Sequence, residues 1–279
     1  KNNLRQVFEN TGPALIGIVG LGHQIGYVNI LPAYSVLLLA APFAIMLAHR
    51  APLALLAASV VLWFLTGLIR LNLPAFPNEG GWFFNPFAWQ LIFVVGLLTG
   101  MAMREDKRFV PVQSTLFALA VFWLLFVLAW RYVPGIGPFM NARMADLQSL
   151  GLPFHITSHD KTFLPLVRLL HVLALVYVVS CLPVVSRLSA HALAEPLRVM
   201  GRQGLLVFSI GALLSLAGQA VLAYFEGVAI VPWLFIPAGV VVLWVSAWLA
   251  DWKRRAGLPA RGSLVQDASA APVPVATAK

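Results

Sequence analysis

Apolar residues in this chain come in long unbroken runs separated by short polar stretches, with neither the two-residue alternation of strands nor the one-faced pattern of surface helices. The runs fall at about 29–48, 52–69, 87–103, 111–131, 163–182, 204–225 and 228–250. Each is close to the roughly 20 residues that carry a helix across a bilayer core. The pattern predicts an all-α, polytopic transmembrane bundle with about seven spans. Prolines punctuate it: Pro52, Pro86 and Pro111 stand at first turns, where a missing N–H costs nothing. Pro32, Pro42 and Pro165 fall inside predicted spans and should kink them locally. Residues 1–250 are read as one transmembrane domain and 251–279 as a disordered cytoplasmic tail, rich in Ala, Pro, Ser and Val without periodicity from about Ala256.

Basic residues orient the bundle. Alternate connections place Arg50, Arg104, Lys107, Arg108, Arg187, Arg198, Arg202, Lys253, Arg254, Arg255, Arg261 and Lys279 on one side, which is 12. Lys1, Arg5, Arg70, Arg131, Arg143 and Lys161 lie on the other, which is 6, and Arg168 lies within a span. The richer side is cytoplasmic by this rule. The longer connections 70–86 and 132–162, and Lys1 itself, then face outward. A cytoplasmic N-terminus would need an odd number of spans before Lys1, and the absence of an initial Met fits the expectation that native N-terminal residues precede this chain.

Composition agrees. Of 279 residues, 60% are hydrophobic and 10% charged, with a mean hydropathy of +0.86. A soluble domain carries about 25% charged residues, so here lipid must cover much of the surface. The net charge of +9 does not point to nucleic acid, because the basic residues sit in short clusters that topology already explains. With Cys181 the single cysteine, no intrachain disulfide or cysteine-based metal site is possible.

The strongest chemical signal is Arg168-Leu-Leu-His171 in the fifth span. Residues three apart share a helix face, so guanidinium and imidazole point the same way, with His171 about 12 Å in from the outer end. An intramembrane Arg costs about 2.5–3.5 kcal/mol on insertion scales and marks a polar cavity or a partner. The bland alternative is an Arg snorkelling to the headgroups and a His in a packed helix contact. A second signal runs from Asn78 through Glu79, Gly80, Gly81, Trp82 and Asn85 to Trp89 and Gln90. Its tryptophans suit sugar rings or a membrane interface, and Glu79 suits a base or a partner for Arg168. A third feature, His155 to His159 and Asp160, looks like half a metal site without its third ligand. A polar lid is the preferred reading, and no metal is expected. His23, Gln24 and Asn29 line the approach to the first span. Gly96 and Gly100 read as helix packing, and Gln219 as a polar residue needing a partner.

These strings carry a resemblance. His23-Gln24 with Asn29-Ile30-Leu31-Pro32-Ala33-Tyr34, Glu79-Gly80-Gly81-Trp82 with Ala88-Trp89-Gln90, Arg168-Leu-Leu-His171, and Gly201-Arg202-Gln203-Gly204-Leu205-Leu206-Val207-Phe208 resemble the OpgC family. Those membrane enzymes succinylate osmoregulated periplasmic glucans and are similar to the acyltransferase-3 superfamily. The resemblance covers most of residues 20–225. It implies about ten spans, three of them before Lys1, and places the superfamily's catalytic His in that preceding part. It further implies a bacterial inner-membrane O-acyltransferase with no bound cofactor, taking succinyl from succinyl-CoA to a periplasmic glucan. In that scheme Arg168 holds the succinyl carboxylate, His171 relays a proton, and Glu79 is a further catalytic candidate. Trp82, Trp89, Asn85, Gln90 and His23 would bind the glucan, while the basic clusters near Arg104–Arg108 and Arg198–Arg202 would attract the donor's phosphates. Two other readings stay open: a glycan or lipid-linked sugar transporter or flippase, and a non-catalytic subunit of a glucan synthase.

Overall fold

The structure, a computed structural model, describes residues 5–23, 26, 29–226, 228 and 230–257. The earlier reading of Gln24 and of the tail beyond Gly257 falls outside these residues. Among the described residues there is no strand, and one antiparallel bridge joins Pro74 to Gly81. The chain divides into two compact units, Lys1–Ser186 and Arg187–Lys279.

The first unit holds α1 (Arg5–Glu9), α2 (Thr11–Val19), α3 (Ile30–Arg50), α4 (Pro52–Ile69), α5 (Pro86–Arg104), α6 (Ser114–Tyr132), α7 (Ile136–Ser149), α8 (Phe154–Thr157) and α9 (Leu166–Cys181). A further helix, α10 (Pro183–Ala190), runs across the boundary, and the second unit continues with α11 (Glu195–Arg202), α12 (Gly204–Tyr224) and α13 (Ile230–Ala256). Six of these, α3, α4, α5, α6, α12 and α13, are long and apolar enough to cross a membrane, and most of their apolar surface is left exposed for lipid. The pair α9 and α10 adds a seventh when counted together, with a bend of 74° between them. The all-α polytopic architecture expected from the apolar runs is therefore present.

Two boundaries differ from the sequence reading in ways the structure explains. The fifth run starts as a helix only at Leu166, because Pro165 is its N-cap and lies outside the helix it was expected to kink. Its 16 residues span about 24 Å, short of a full bilayer core. The last span runs on to Ala256 instead of stopping at 250, since Asp251 is buried and receives ion pairs from Arg202 at 3.3 Å, Arg254 at 3.0 Å and Arg255 at 2.7 Å. These contacts tie α11 to α13. In α11 the guanidiniums of Arg198 and Arg202, hydrogen bonded to Glu195, hold its carboxyl below the usual range. Gly96 and Gly100 do not mark a close helix contact, because a Cβ at either would meet no atom within 4 Å. Gln219 is partnered.

Within the first unit, polar contacts register the spans. Ser59 Oγ donates to Gln90 Oε1 at 2.6 Å and Gln90 Nε2 donates back to the Ser59 carbonyl at 2.9 Å, joining α4 to α5. Around them pack Trp63, Ala88, Leu91, Leu164 and Leu169 in one cluster and Ala48, Leu55, Val94 and Leu98 in another. At one end of α9, Tyr177 Oη donates to the Pro111 carbonyl at 3.0 Å and accepts from the Gln113 amide at 3.1 Å. There Arg108 also reaches the Ser180 carbonyl at 3.2 Å and Ser180 Oγ at 2.8 Å.

At the opposite end the two long connections meet. Trp63 Nε1 donates to the Leu164 carbonyl at 2.9 Å, Trp89 Nε1 to the Lys161 carbonyl at 3.1 Å, and the Arg70 guanidinium lies 4.4 Å from the centre of the Phe154 ring. The central piece of this junction is His155. It is fully buried, edge-on to Trp63 at 4.6 Å and to Phe64 at 5.5 Å, and its ring sits directly over Gly67. A side chain at position 67 would occupy the imidazole's space, so this close approach requires glycine. Neither ring nitrogen has a well-formed hydrogen bond. Burial pushes His155 below its ordinary value, against a smaller opposing effect of the Gly67 backbone.

Gly67→Ala is expected to cost about 1–3 kcal/mol through overpacking, read as a lower thermal midpoint in detergent. The pH dependence follows from His155. The unfolded chain protonates it near its ordinary pKa of about 6.5, whereas the buried site resists the proton. Its stabilising contribution is whole above that value and is lost as pH falls through it towards the lowered folded value. The melting temperature should therefore fall as pH drops below about 6.5, and His155→Phe should flatten that slope.

Candidate active site at the junction of two spans

A cavity of about 810 Å³ opens between the C-terminal end of α6 and the N-terminal end of α9, closed on a third side by the connection that begins at Val133. Helix geometry explains its lining. On α6, Val127, Trp130 and Arg131 recur at three- and four-residue intervals, and on α9 Arg168 and His171 do the same. The shared face predicted for Arg168 and His171 is present, and both line this cavity. With α9 starting at Leu166, His171 lies about 7–8 Å along the helix, shallower than the sequence spacing suggested.

The two side chains are partly buried, and Arg168 Nε and His171 Nδ1 are buried without a hydrogen-bond partner among the described residues. Orphaned polar atoms in a span are costly unless something else completes them. Arg131 supplies a second, exposed guanidinium at the mouth, and among the described lining residues there is no carboxylate. The cavity is therefore cationic.

Sequence reasoning missed part of this wall. Asn141 Oδ1 accepts from Trp130 Nε1 at 3.1 Å and contacts His159 Nε2 at 3.2 Å, while the Trp130 and His159 rings lie edge to face at 5.5 Å. Trp130 and Asn141 carry no local motif, and their contact with His159 is set by the path of the connection. The His155, His159 and Asp160 trio does not converge. His155 sits in the aromatic junction, His159 in the cavity, and Asp160 Oδ1 accepts from the Thr162 amide at 2.9 Å. Among the described residues no group of three His, Cys, Asp or Glu side chains is placed to hold a metal ion.

The remaining candidates lie in or beside the 70–86 connection. Asn85 is fully buried; its Oδ1 accepts from the Phe87 amide at 3.0 Å and its Nδ2 donates to the Leu71 carbonyl at 2.5 Å, capping α5 ahead of Pro86. Trp82 is buried, with Nε1 donating to the Pro74 carbonyl at 3.2 Å. Trp89 and Gln90 spend their donors on Lys161 and Ser59, as described. Glu79 is exposed and makes no ion pair with Arg168. His23 is buried, with Nδ1 at 3.4 Å from Asn78 Nδ2 and Nε2 unpartnered. These six side chains do not line the cavity that holds Arg168 and His171.

Spans and cavity together define a multi-pass helical membrane protein with a cationic site between two of its helices. The chain belongs to the OpgC protein family, whose model matches residues 1–255, and is thus an OpgC-type, acyltransferase-like protein. No curated protein and no solved structure matches it.

Asn85→Ala is expected to lower stability by about 1 kcal/mol through loss of the cap. Thermal unfolding of the purified protein beside the unaltered chain measures it.

Proposed function

We propose that the protein is a membrane-bound O-acyltransferase of the bacterial inner membrane, its C-terminus cytoplasmic, that moves a succinyl group from succinyl-CoA to hydroxyls of periplasmic glucans. The observation that carries this reading is the cavity itself, which Arg131, Arg168 and His171 line with no acid among the described lining residues. Family membership supports acyl transfer. The basic-residue asymmetry supports a mouth facing the periplasm, because the cavity lies at the end of α9 away from Arg108.

The chemistry asks little more of these residues. A free carboxylate at the far end of the acyl group would complete Arg168, since a guanidinium takes a carboxylate through two parallel hydrogen bonds. That pairing selects a diacid over a simple acyl chain. Attack of a glucan hydroxyl on the thioester carbonyl forms the ester C–O bond and breaks C–S. One proton passes from the hydroxyl to the departing thiolate, and in this reading His171 carries it. Glu79, exposed in the other connection, is left outside this scheme; a contribution from it would require movement of that segment.

The test is the mass spectrum of periplasmic glucans from a deletion strain complemented with the full-length protein. The unaltered protein should restore succinyl increments. His171→Ala should lower them by about 100-fold or more, in line with loss of a general acid–base. Arg168→Lys, which keeps charge but not the fork, should lower them by about 10-fold or more. Wild-type levels in both variants would overturn the assignment. Sugar movement without release of free CoA would favour the transporter.

A further inference from the structure

The Trp130–Asn141–His159 wall carries a second assignment. An indole N–H can only donate, so the 3.1 Å contact from Trp130 Nε1 fixes the Asn141 amide with its oxygen towards both neighbours. That oxygen can only accept, so the 3.2 Å contact from His159 Nε2 requires the proton to sit on Nε2. In the neutral ring Nδ1 is then a bare acceptor, and it has no partner among the described residues. His159 and Asn141 are exposed at the cavity, whereas Trp130 is 8% exposed and meets the imidazole edge to face.

We infer that this wall is the acceptor subsite, in which His159 Nδ1 accepts a hydrogen bond from a non-reacting hydroxyl of a hexose ring. The substrate named here rests on the acyl-transfer reading. Three features fit a neutral polyhydroxyl ligand. The Nδ1 acceptor of His159 lines the same cavity as the Arg168 guanidinium, so an alcohol and a carboxylate would find different partners there. The exposed Tyr132 adds aromatic surface to the lining, which suits the apolar face of a sugar ring. The tryptophans of the other connection, Trp82 and Trp89, have their N–H groups committed to backbone carbonyls and do not line this cavity. His159 is thus a positioning residue for the sugar, distinct from His171, whose orphaned Nδ1 lies on α9.

Two substitutions separate this role from a structural one. In His159→Asn, the side-chain oxygen takes the place of Nδ1, keeping an acceptor for the hydroxyl and losing the link to Asn141. In His159→Gln, the amide reaches the place of Nε2, keeping the link and losing the acceptor. Full-length protein in nanodiscs would be titrated calorimetrically with unmodified periplasmic glucan, and glucan KM and kcat measured by release of free CoA. His159→Gln should weaken glucan binding and raise its KM by about 10-fold, the scale of one lost hydrogen bond, with kcat little changed. His159→Asn should stay within about 3-fold of the unaltered protein, well under the loss of one whole hydrogen bond. The reverse order, equal losses, or no loss in either variant would overturn the subsite. Calorimetric binding that follows the expected order without any acyl transfer would sink the proposed function and leave the subsite standing. Transfer by the unaltered protein with the wrong order would do the opposite.

Discussion

A polar side chain inside a bilayer has no water to fall back on, so each must be completed by protein or by whatever the protein binds. That constraint organises the first unit. Ser59 and Gln90 complete each other between α4 and α5, and Trp63 is completed by the Leu164 carbonyl. Each pair fixes a helix register that apolar packing alone would leave loose. Against this background Arg168 and His171 stand out, because both line a cavity and neither is completed.

The two ends of the unit use their polar groups differently. On the side away from the cavity, Tyr177 and Arg108 bind the connection closely to α9. On the cavity side the long connections are joined through aromatic contacts and backbone carbonyls around His155. The cationic lining and the neutral Trp130–Asn141–His159 wall then give one cavity two chemical characters.

Much of this was legible in the chain, and the exceptions share a cause. The spans could be read because hydrocarbon imposes nearly the same demand on every residue of a run, and the match of Pro52–Ile69 to the apolar run is complete. Arg168 and His171 could be paired because helical spacing is local. The start of the fifth span could not be placed, since Leu164 is apolar yet turns its carbonyl to Trp63 across 101 residues. The roles of Asn85, Trp82 and Trp89 were equally hidden. Their composition suits sugar binding, but their partners are backbone carbonyls whose positions depend on how the connections fold. His159 was noticed beside His155 and Asp160 as a possible ligand. Its neighbour in space is Asn141, 18 residues away, and no spacing rule reports such a contact.

The clamp at Tyr177 has a mechanical meaning. It fastens α9 to the segment leading into α6 at one end, while the cavity separates the same two helices at the other. With Tyr177 holding one end closed, the space between the two helices is confined to the other, where the exposed Arg131 and Tyr132 line it alongside the partly buried Arg168 and His171.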